Sequence, residues 1–249
     1  MLRKKDQGVE WLEFELLADE PKLKHAIFLR HGGVSSGPFA SLNVGGGTND
    51  DAKCIEENRE RVKRCMGVDE LISGKQVHGK VIAHFEKRGQ EVGDCDGLAT
   101  DQKGAALMIK HADCQAAIIY DPILNVLANV HCGWRGNVQN IYAEAVAALS
   151  SRYGSKPENL LVGISPSLGP QNAEFKNYRE ELPESFWQFQ IKSTYFNLWE
   201  VSRFQLLALG ILPHHIQVAS ICTFDIREDY FSYRRDKVTG RNCTIALII

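Results

Sequence analysis

Three short stretches of the chain carry residues that could do chemistry: Gln76-Val77-His78-Gly79, His111-Ala112-Asp113-Cys114 and His131-Cys132-Gly133-Trp134-Arg135-Gly136. From them His78, Cys114 and His131 offer two imidazoles and one thiolate. Three N/S ligands with a fourth position left open is the pattern of a catalytic zinc site, whereas a closed structural site would need a fourth protein ligand, here Cys132 or His111. A zinc with an open position brings the pKa of bound water to about 7 and so supplies hydroxide at neutral pH. Without a metal, Cys114 and His131 could instead act as a nucleophile and its base, which suits acyl transfer. Chelation separates the two: it should silence a zinc enzyme and leave a cysteine nucleophile intact.

Each residue also has a plain structural reading. An isolated histidine is ordinarily a satisfied polar group, and His25, His84, His214 and His215 have no companion that suggests more. His111 either approaches the site or simply ends a strand. Asp113 could orient a histidine ligand through its ring N–H, or cap a turn. Arg135 precedes a helix expected to begin near Asn137, where free N–H groups favour an anion. Of the seven cysteines, Cys54, Cys65 and Cys243 read as small core residues.

Other motif classes are missing. The glycine-rich stretches His31–Pro38 and Gly45-Gly46-Gly47 have neither the Lys-Ser/Thr ending of a phosphate loop nor GxGxxG spacing. The Pro-Cys-X-X-Cys half of the zinc base deaminase signature is absent, which leaves His84-Phe85-Glu86 as an isolated His-X-Glu, and the His-Glu-X-X-His of metalloproteases is absent as well. A His₂Cys trio superficially resembles a blue-copper centre with an axial Met. The chain, however, has eight histidines with no His-X-His pair, and only three methionines. Copper-dependent oxidation therefore ranks low, with copper an adventitious occupant at most, since Cu²⁺ outcompetes Zn²⁺ at many such sites.

The positioning elements are legible from periodicity. Residues 22–30, 104–110, 115–120, 124–131, 216–222 and 243–249 read as strands. The last is apolar almost throughout and should be central. Asp121-Pro122 marks a turn, so 115–120 and 124–130 form a hairpin whose open end brings Cys114 beside His131. Helices are expected over 51–66 (stripe Ile55, Arg59, Val62, Met66; Gly67 as stop) and 137–150 (Asn137 as cap; Val138, Ile141, Tyr142, Ala145, Val146 and Leu149 buried). A third is expected over 199–209 (Val201, Phe204, Ala208; ending at Gly210). Strands and helices intersperse without strict βαβ alternation. That favours a mixed sheet, α+β or layered α/β, as a single domain over residues 1–249.

The chain is 249 residues long, 44% hydrophobic and 24% charged, with a net charge of −2. It can bury a core without disulfides, and its charge gives no reason to expect nucleic acid or an anionic membrane as partner. No apolar run approaches the ~18 residues of a membrane span, and no apolar stretch follows Met1-Leu2-Arg3-Lys4-Lys5 as in a secretory signal. The odd, scattered cysteines suit reduced thiols and a cytoplasmic location. The oligomeric state, a homo-oligomer included, is left open.

The ordered motifs as a set resemble the YfiH family, long labelled laccase-domain or multicopper polyphenol oxidases. They are Arg30-His31-Gly32-Gly33-Val34-Ser35, Ser41-Leu42-Asn43, Asn58-Arg59, Lys75-Gln76-Val77-His78-Gly79, Asp94-Cys95-Asp96-Gly97-Leu98, Ala112-Asp113-Cys114, His131–Gly136, Phe231-Ser232-Tyr233-Arg234-Arg235 and Gly240-Arg241. The resemblance implies a layered α/β/β/α fold similar to cysteine-histidine hydrolases of the deamidating-toxin type. It also implies one zinc on His78, Cys114 and His131. The activities it implies are phosphorolysis of purine nucleosides, including adenosine, inosine and methylthioadenosine, and deamination of adenosine by attack at C6. Some bacterial members are linked to editing of peptidoglycan precursors, which would suit the Cys114–His131 hydrolase alternative. A phosphorylase needs an anion pocket, for which guanidinium groups are best shaped. The order of preference is Arg30, Arg234, Arg241, then Arg135, with Arg235 a fifth candidate. Gln76 could read a purine edge, and Cys222, ending a strand, could line the site.

Overall fold

Most apolar runs of the chain become strands of two stacked sheets. The computed structural model describes residues 1–249. Its strands are β1 (Leu2–Asp6), β2 (Val9–Glu13), β3 (Leu23–Phe28), β4 (Leu71–Ile72), β5 (Ile82–His84), β6 (Gly97–Thr100), β7 (Ala106–His111), β8 (Gln115–Asp121), β9 (Val126–Cys132), β10 (Leu161–Ile164), β11 (Gln190–Lys192), β12 (Tyr195–Phe196), β13 (Ile216–Val218) and β14 (Asn242–Ile248). The α-helices are α1 (Glu15–Ala18), α2 (Ala52–Met66), α3 (Trp134–Val138), α4 (Ile141–Tyr153), α5 (Tyr178–Glu181), α6 (Leu198–Ala208) and α7 (Tyr233–Asp236). One sheet runs β1-β2-β3-β14-β7-β4 and the other β13-β10-β8-β9-β6-β5, while β11 and β12 form a small ribbon. Both large sheets are mixed: β4–β7, β5–β6 and β10–β13 are parallel and the remaining pairs antiparallel.

The alternation of side chains along each strand sorts them into layers. Leu107 of β7, Ile118 and Tyr120 of β8 and Leu127 of β9 meet between the sheets. Ala117 and Ile119, offset by one residue, face outward under Ile141, Tyr142 and Leu149 of α4 and Leu206 of α6. On the far side Ala26, Met108 and Ile245 pack under Val62 and Met66 of α2. The result is four layers, α/β/β/α, as the motifs implied. Asn129 ties the sheets through its amide N–H groups, which donate to Leu107 O and Thr244 O, both at 2.9 Å.

The structure revises several sequence expectations. The helix read as 137–150 is two: α3 begins already at Trp134, and Asn140, in the left-handed region, caps α4 by accepting from Ala143 N. Val138 thereby faces solvent instead of the core. In α6 the buried face is Val201, Ser202, Gln205 and Leu206, so Phe204, at 49% exposure, and Ala208 point outward. The 216–222 strand stops at Val218. Cys243 is buried, but Cys54 and Cys65 are only half-buried. Strand β14 is central, as expected, lying between β3 and β7.

Candidate active site

The β8–β9 hairpin delivers two of the three candidate ligands. Its register pairs Ala116 with His131 and Gln115 with Cys132, so Cys114 lies one step beyond the open end, next to His131. By alternation His131 shares a face with Leu127 and Asn129, between the sheets, and it is 3% exposed. The turn carrying Cys114 is pinned at Asp113, which adopts a φ of 85°, a conformation Asp tolerates better than most side chains. Its carboxylate accepts from Thr223 Oγ1 at 2.7 Å and from Arg234 N at 2.6 Å. Asp113 thus braces the loop and does not orient a histidine.

That orienting role belongs to Asp96, at the N-terminal edge of β6. Its carboxylate accepts from Nδ1 of His131 at 2.8 Å and from the backbone N–H groups of Val77, His78 and Gly79 at 3.1, 3.0 and 2.7 Å. With Nδ1 engaged, His131 presents Nε2 toward the site. His78, with φ 59°, rides on this clamped loop, and its ring meets that of His131 edge-on at 4.9 Å. Gln76 docks the same loop onto β7: its amide donates to Lys110 O and accepts from Lys110 N, at 2.7 and 2.9 Å. The ligand atoms of His78, Cys114 and His131 all lie within 4.8 Å of one another.

The electrostatics of this group are coupled. Burial pushes the Cys114 thiol up, but the adjacent His131 and His78 imidazoles outweigh it and bring it below its ordinary value. Burial opposes the charge on His131, yet the Cys114 sulfur and Asp96 raise it. Thiolate and imidazolium therefore stabilise each other. Gly133 leaves the space for both ligands: a Cβ there would sit 3.0 Å from Cys114 Sγ and 3.2 Å from His78 Cδ2.

The trio opens into a cavity of about 1030 Å³, ample for a drug-sized ligand. Trp134, Leu168, Phe175 and Leu198 supply apolar wall, and Trp134 and Phe175 stand edge to face at 6.0 Å. Of the binding residues expected from the sequence, Gln76, Arg135, Arg234 and Arg241 line this cavity, as does His111. Arg135 is exposed and lies over the Trp134 ring at 4.3 Å. Arg234 is held by Asn172 O and Glu174 O. Gln76 has one donor and one acceptor already committed to Lys110, so it braces the wall. His111 is buried with Nε2 on Thr244 Oγ1.

Arg30 is placed elsewhere. Its guanidinium donates to Ala40 O and Arg227 O and covers the Phe231 ring, so it staples loops together outside the cavity. Arg235 likewise donates to Thr223 O, Phe224 O and Tyr230 O. Cys222 Sγ accepts from Gly169 N and Asn172 Nδ2 and does not line the cavity. Asp96, Gly133, Arg59 and Lys110 gain their place at the candidate site only from the structure. The first two sit inside motifs quoted above, where their proximity to the ligands was a usable signal. Arg59 sits in the quoted Asn58-Arg59 motif but with no chemistry attached to it there, and Lys110 carried no signal.

A profile of the family described as multi-copper polyphenol oxidoreductase laccase matches residues 24–249. The chain belongs to this family. Members similar to it include the purine nucleoside phosphorylase YlmD of Geobacillus stearothermophilus, 33% identical over 85% of each chain. The purine nucleoside phosphorylase YfiH of Escherichia coli is 28% identical, covering 88% of this chain and 91% of that one. Among solved structures, YlmD from G. stearothermophilus superposes with a TM-score of 0.88 at 28% identity, covering 98% and 97% of the two chains. The YfiH protein of Bacillus licheniformis gives 0.89 at 26% identity, covering 99% of each. These are the YfiH proteins that the motifs resembled. The family's copper label sits poorly with the donor set, because His78, Cys114 and His131 are the one group of three or more such side chains close enough to share an ion. No helix is long and apolar enough to cross a membrane.

Proposed function

We propose that the chain is a zinc-dependent purine nucleoside enzyme that cleaves adenosine, inosine or methylthioadenosine by phosphorolysis and deaminates adenosine. The observation that carries this reading is the convergence of two imidazoles and a thiol within 4.8 Å beside a cavity with aromatic and cationic walls, in a chain whose relatives are named purine nucleoside phosphorylases. The donor set fits zinc: two nitrogens and one sulfur suit a borderline-soft cation, and Asp96 holds His131 in the tautomer that leaves Nε2 for a metal. When bound by His78, Cys114 and His131, zinc supplies Lewis acidity at neutral pH.

The protein's own groups do the rest. Trp134 and Phe175 offer faces and edges against which a purine packs. Arg135, Arg234 and Arg241 retain guanidinium N–H groups for phosphate. In phosphorolysis a phosphate oxygen forms a bond to C1′ as the C1′–N9 bond breaks, and the base departs with that electron pair and takes up a proton. Cationic walls favour this by holding the anion in line with C1′ and offsetting its charge.

Elemental analysis of tag-free protein, with adenosine and inosine assays run with and without phosphate, tests the reading. About one zinc per chain and phosphate-dependent release of adenine or hypoxanthine is the expected result. Absence of nucleoside turnover by zinc-loaded protein would overturn it. A second reading is favoured by the mutual stabilisation of the Cys114 thiolate and the His131 imidazolium, with Asp96 behind the ring. That is the arrangement of a cysteine hydrolase, which would fit an amidase acting on peptidoglycan precursors. Activity that survives chelation but not iodoacetamide would favour it.

A further inference from the structure

Arg59, Lys110 and Arg241 line the cavity from a different side than Arg135, on elements that the catalytic trio does not use. Arg59 projects from α2, Lys110 from the end of β7, and Arg241 precedes β14. The Gly45–Gly47 loop runs between the two guanidiniums: a Cβ on Gly45 would lie 2.5 Å from Arg241 Cγ, and one on Gly46 would lie 3.8 Å from Arg59 Nη2. Arg59 and Lys110 also border an adjoining groove of about 630 Å³, so they stand where the two spaces meet.

Each of these cations is aimed by neutral oxygens. Arg59 Nε and Nη2 donate to Val44 O, at 3.0 and 2.8 Å. Lys110 Nζ donates to Ser73 Oγ at 2.7 Å and to Gly74 O at 3.3 Å. Arg241 Nη1 donates to Thr239 O and Gly240 O, both at 2.9 Å. These contacts fix direction without cancelling charge. They leave Nη1 of Arg59, one N–H of Lys110, and Nε and Nη2 of Arg241 unspent. Of the carboxylates lining the two spaces, Asp113 is engaged by Thr223 and Arg234, Asp50 by Ser35 and Asn43, Glu60 by Lys63, and Asp69 and Glu70 by Arg88; Glu56, on the groove side, has no such partner.

Keeping the like charges of Arg59 and Lys110 together and partly withdrawn from water is unfavourable. Burial, then the charge of Arg59, brings Lys110 down to about 8, and no carboxylate acts on either residue. Asp113 is the one carboxylate acting on Arg241. An anion on this wall would offset that cost.

We infer that Arg59, Lys110 and Arg241 form the seat for a phosphoryl group, on the wall built by β7, α2 and the Gly45–Gly47 loop. A tetrahedral oxyanion offers enough acceptors for cations that line one cavity, and the absence of Cβ atoms on the loop lets its backbone come close. The occupant is either free phosphate, the co-substrate of phosphorolysis, or a phosphate ester carried by the substrate. The inference rests on the nucleoside reading for what reacts at the trio, but the anion itself can be measured without turnover.

The test is equilibrium binding by calorimetry of three probes to the zinc-loaded protein: inorganic phosphate, adenosine and adenosine 5′-monophosphate. Parent protein is compared with Arg59→Met, Lys110→Met and the charge-preserving Lys110→Arg. Loss of a charge-assisted hydrogen bond should weaken phosphate binding about tenfold or more in both Met variants, with adenosine binding unchanged and Lys110→Arg largely restoring affinity. That pattern supports a free-phosphate seat. If the monophosphate outbinds adenosine in the parent and loses its advantage in the Met variants, the seat takes an ester. Unchanged affinity for both anions in Met variants that melt like the parent overturns the inference. A protein that binds phosphate this way yet turns over no nucleoside leaves the seat standing and removes the phosphorylase reading alone.

Discussion

Oδ1 of Asp96 lies 2.8 Å from Nδ1 of His131, and the same fully buried carboxylate receives three consecutive backbone N–H groups from the loop that carries His78. One side chain thus sets the position of two of the three candidate ligands. Burial alone would raise its pKa, but His131 and the N–H groups of Gly79 and Val77 bring it down to about 2, so it remains an acceptor at any working pH.

Replacing Asp96 with Asn keeps the size but removes the charge, and one amide edge can only donate. Zinc affinity should fall about 10- to 100-fold, as for other residues that orient metal-bound histidines. Competition with a fluorescent chelator measures it. Parent-like affinity in Asp96→Asn would show that the carboxylate is incidental to the ligands.

Cys114→Ala should release zinc and abolish phosphate-dependent base formation while the fold survives, because Cys114 lines the cavity and is not part of a core cluster. Metal content, circular dichroism and the nucleoside assay are read together. Full deaminase activity in a zinc-free Cys114→Ala protein would end the zinc proposal.

Gly133→Ala introduces a methyl against Cys114 Sγ and His78 Cδ2. Overpacking of this kind costs ~1–3 kcal/mol when neighbours must move. The neighbours here are candidate ligands, so on the zinc proposal the loss should appear in metal affinity as well as in the denaturation midpoint. A variant that binds zinc normally would mean that the trio has slack the distances do not suggest.

Stability should fall in mild acid because of two buried neutral histidines. His25 Nε2 accepts from Phe14 N at 2.8 Å, and burial lowers its pKa to about 4; burial lowers His111 to about 3. Unfolding returns each to about 6.5, so between these values the unfolded chain binds more protons. Their contribution is complete above pH ~6.5 and is lost as pH falls toward the folded values, by at most about 3 kcal/mol for His25. Urea midpoints at pH 7 and 4.5 give the slope. His25→Gln, which can still accept from Phe14 N but does not titrate, should flatten it; an equal slope in both proteins would remove His25 as a cause.

Strands β8 and β9 and the Cys114–His131 neighbourhood are legible in the sequence because they need only a period of two and a turn signal. His78 cannot be placed the same way, since its approach depends on contacts to Asp96 and Lys110 that join segments far apart in sequence. Arginines are the least legible part of the site. Guanidinium chemistry is the same in a loop staple such as Arg30 as in a cavity wall such as Arg241, and only the surroundings tell them apart. Helical periodicity puts Arg59 on an apolar stripe, although α2 uses Asn58 for burial and turns Arg59 toward Val44 O. Asn137 has the chemistry of a cap, but its amide is instead buried against Ser202 and Gln205.

The ligand trio draws on positions 78, 114 and 131, and Asn129 of the hairpin is hydrogen-bonded to β7 and β14 of the opposite sheet. A three-coordinate site therefore cannot exist in a chain that has formed only its local hairpin. Non-local pairing is the slow part of assembling a β-rich protein. Zinc supplied during refolding should accordingly be captured in the last kinetic phase, with the return of native tertiary signal, and metal uptake becomes a clock for the docking of the two sheets.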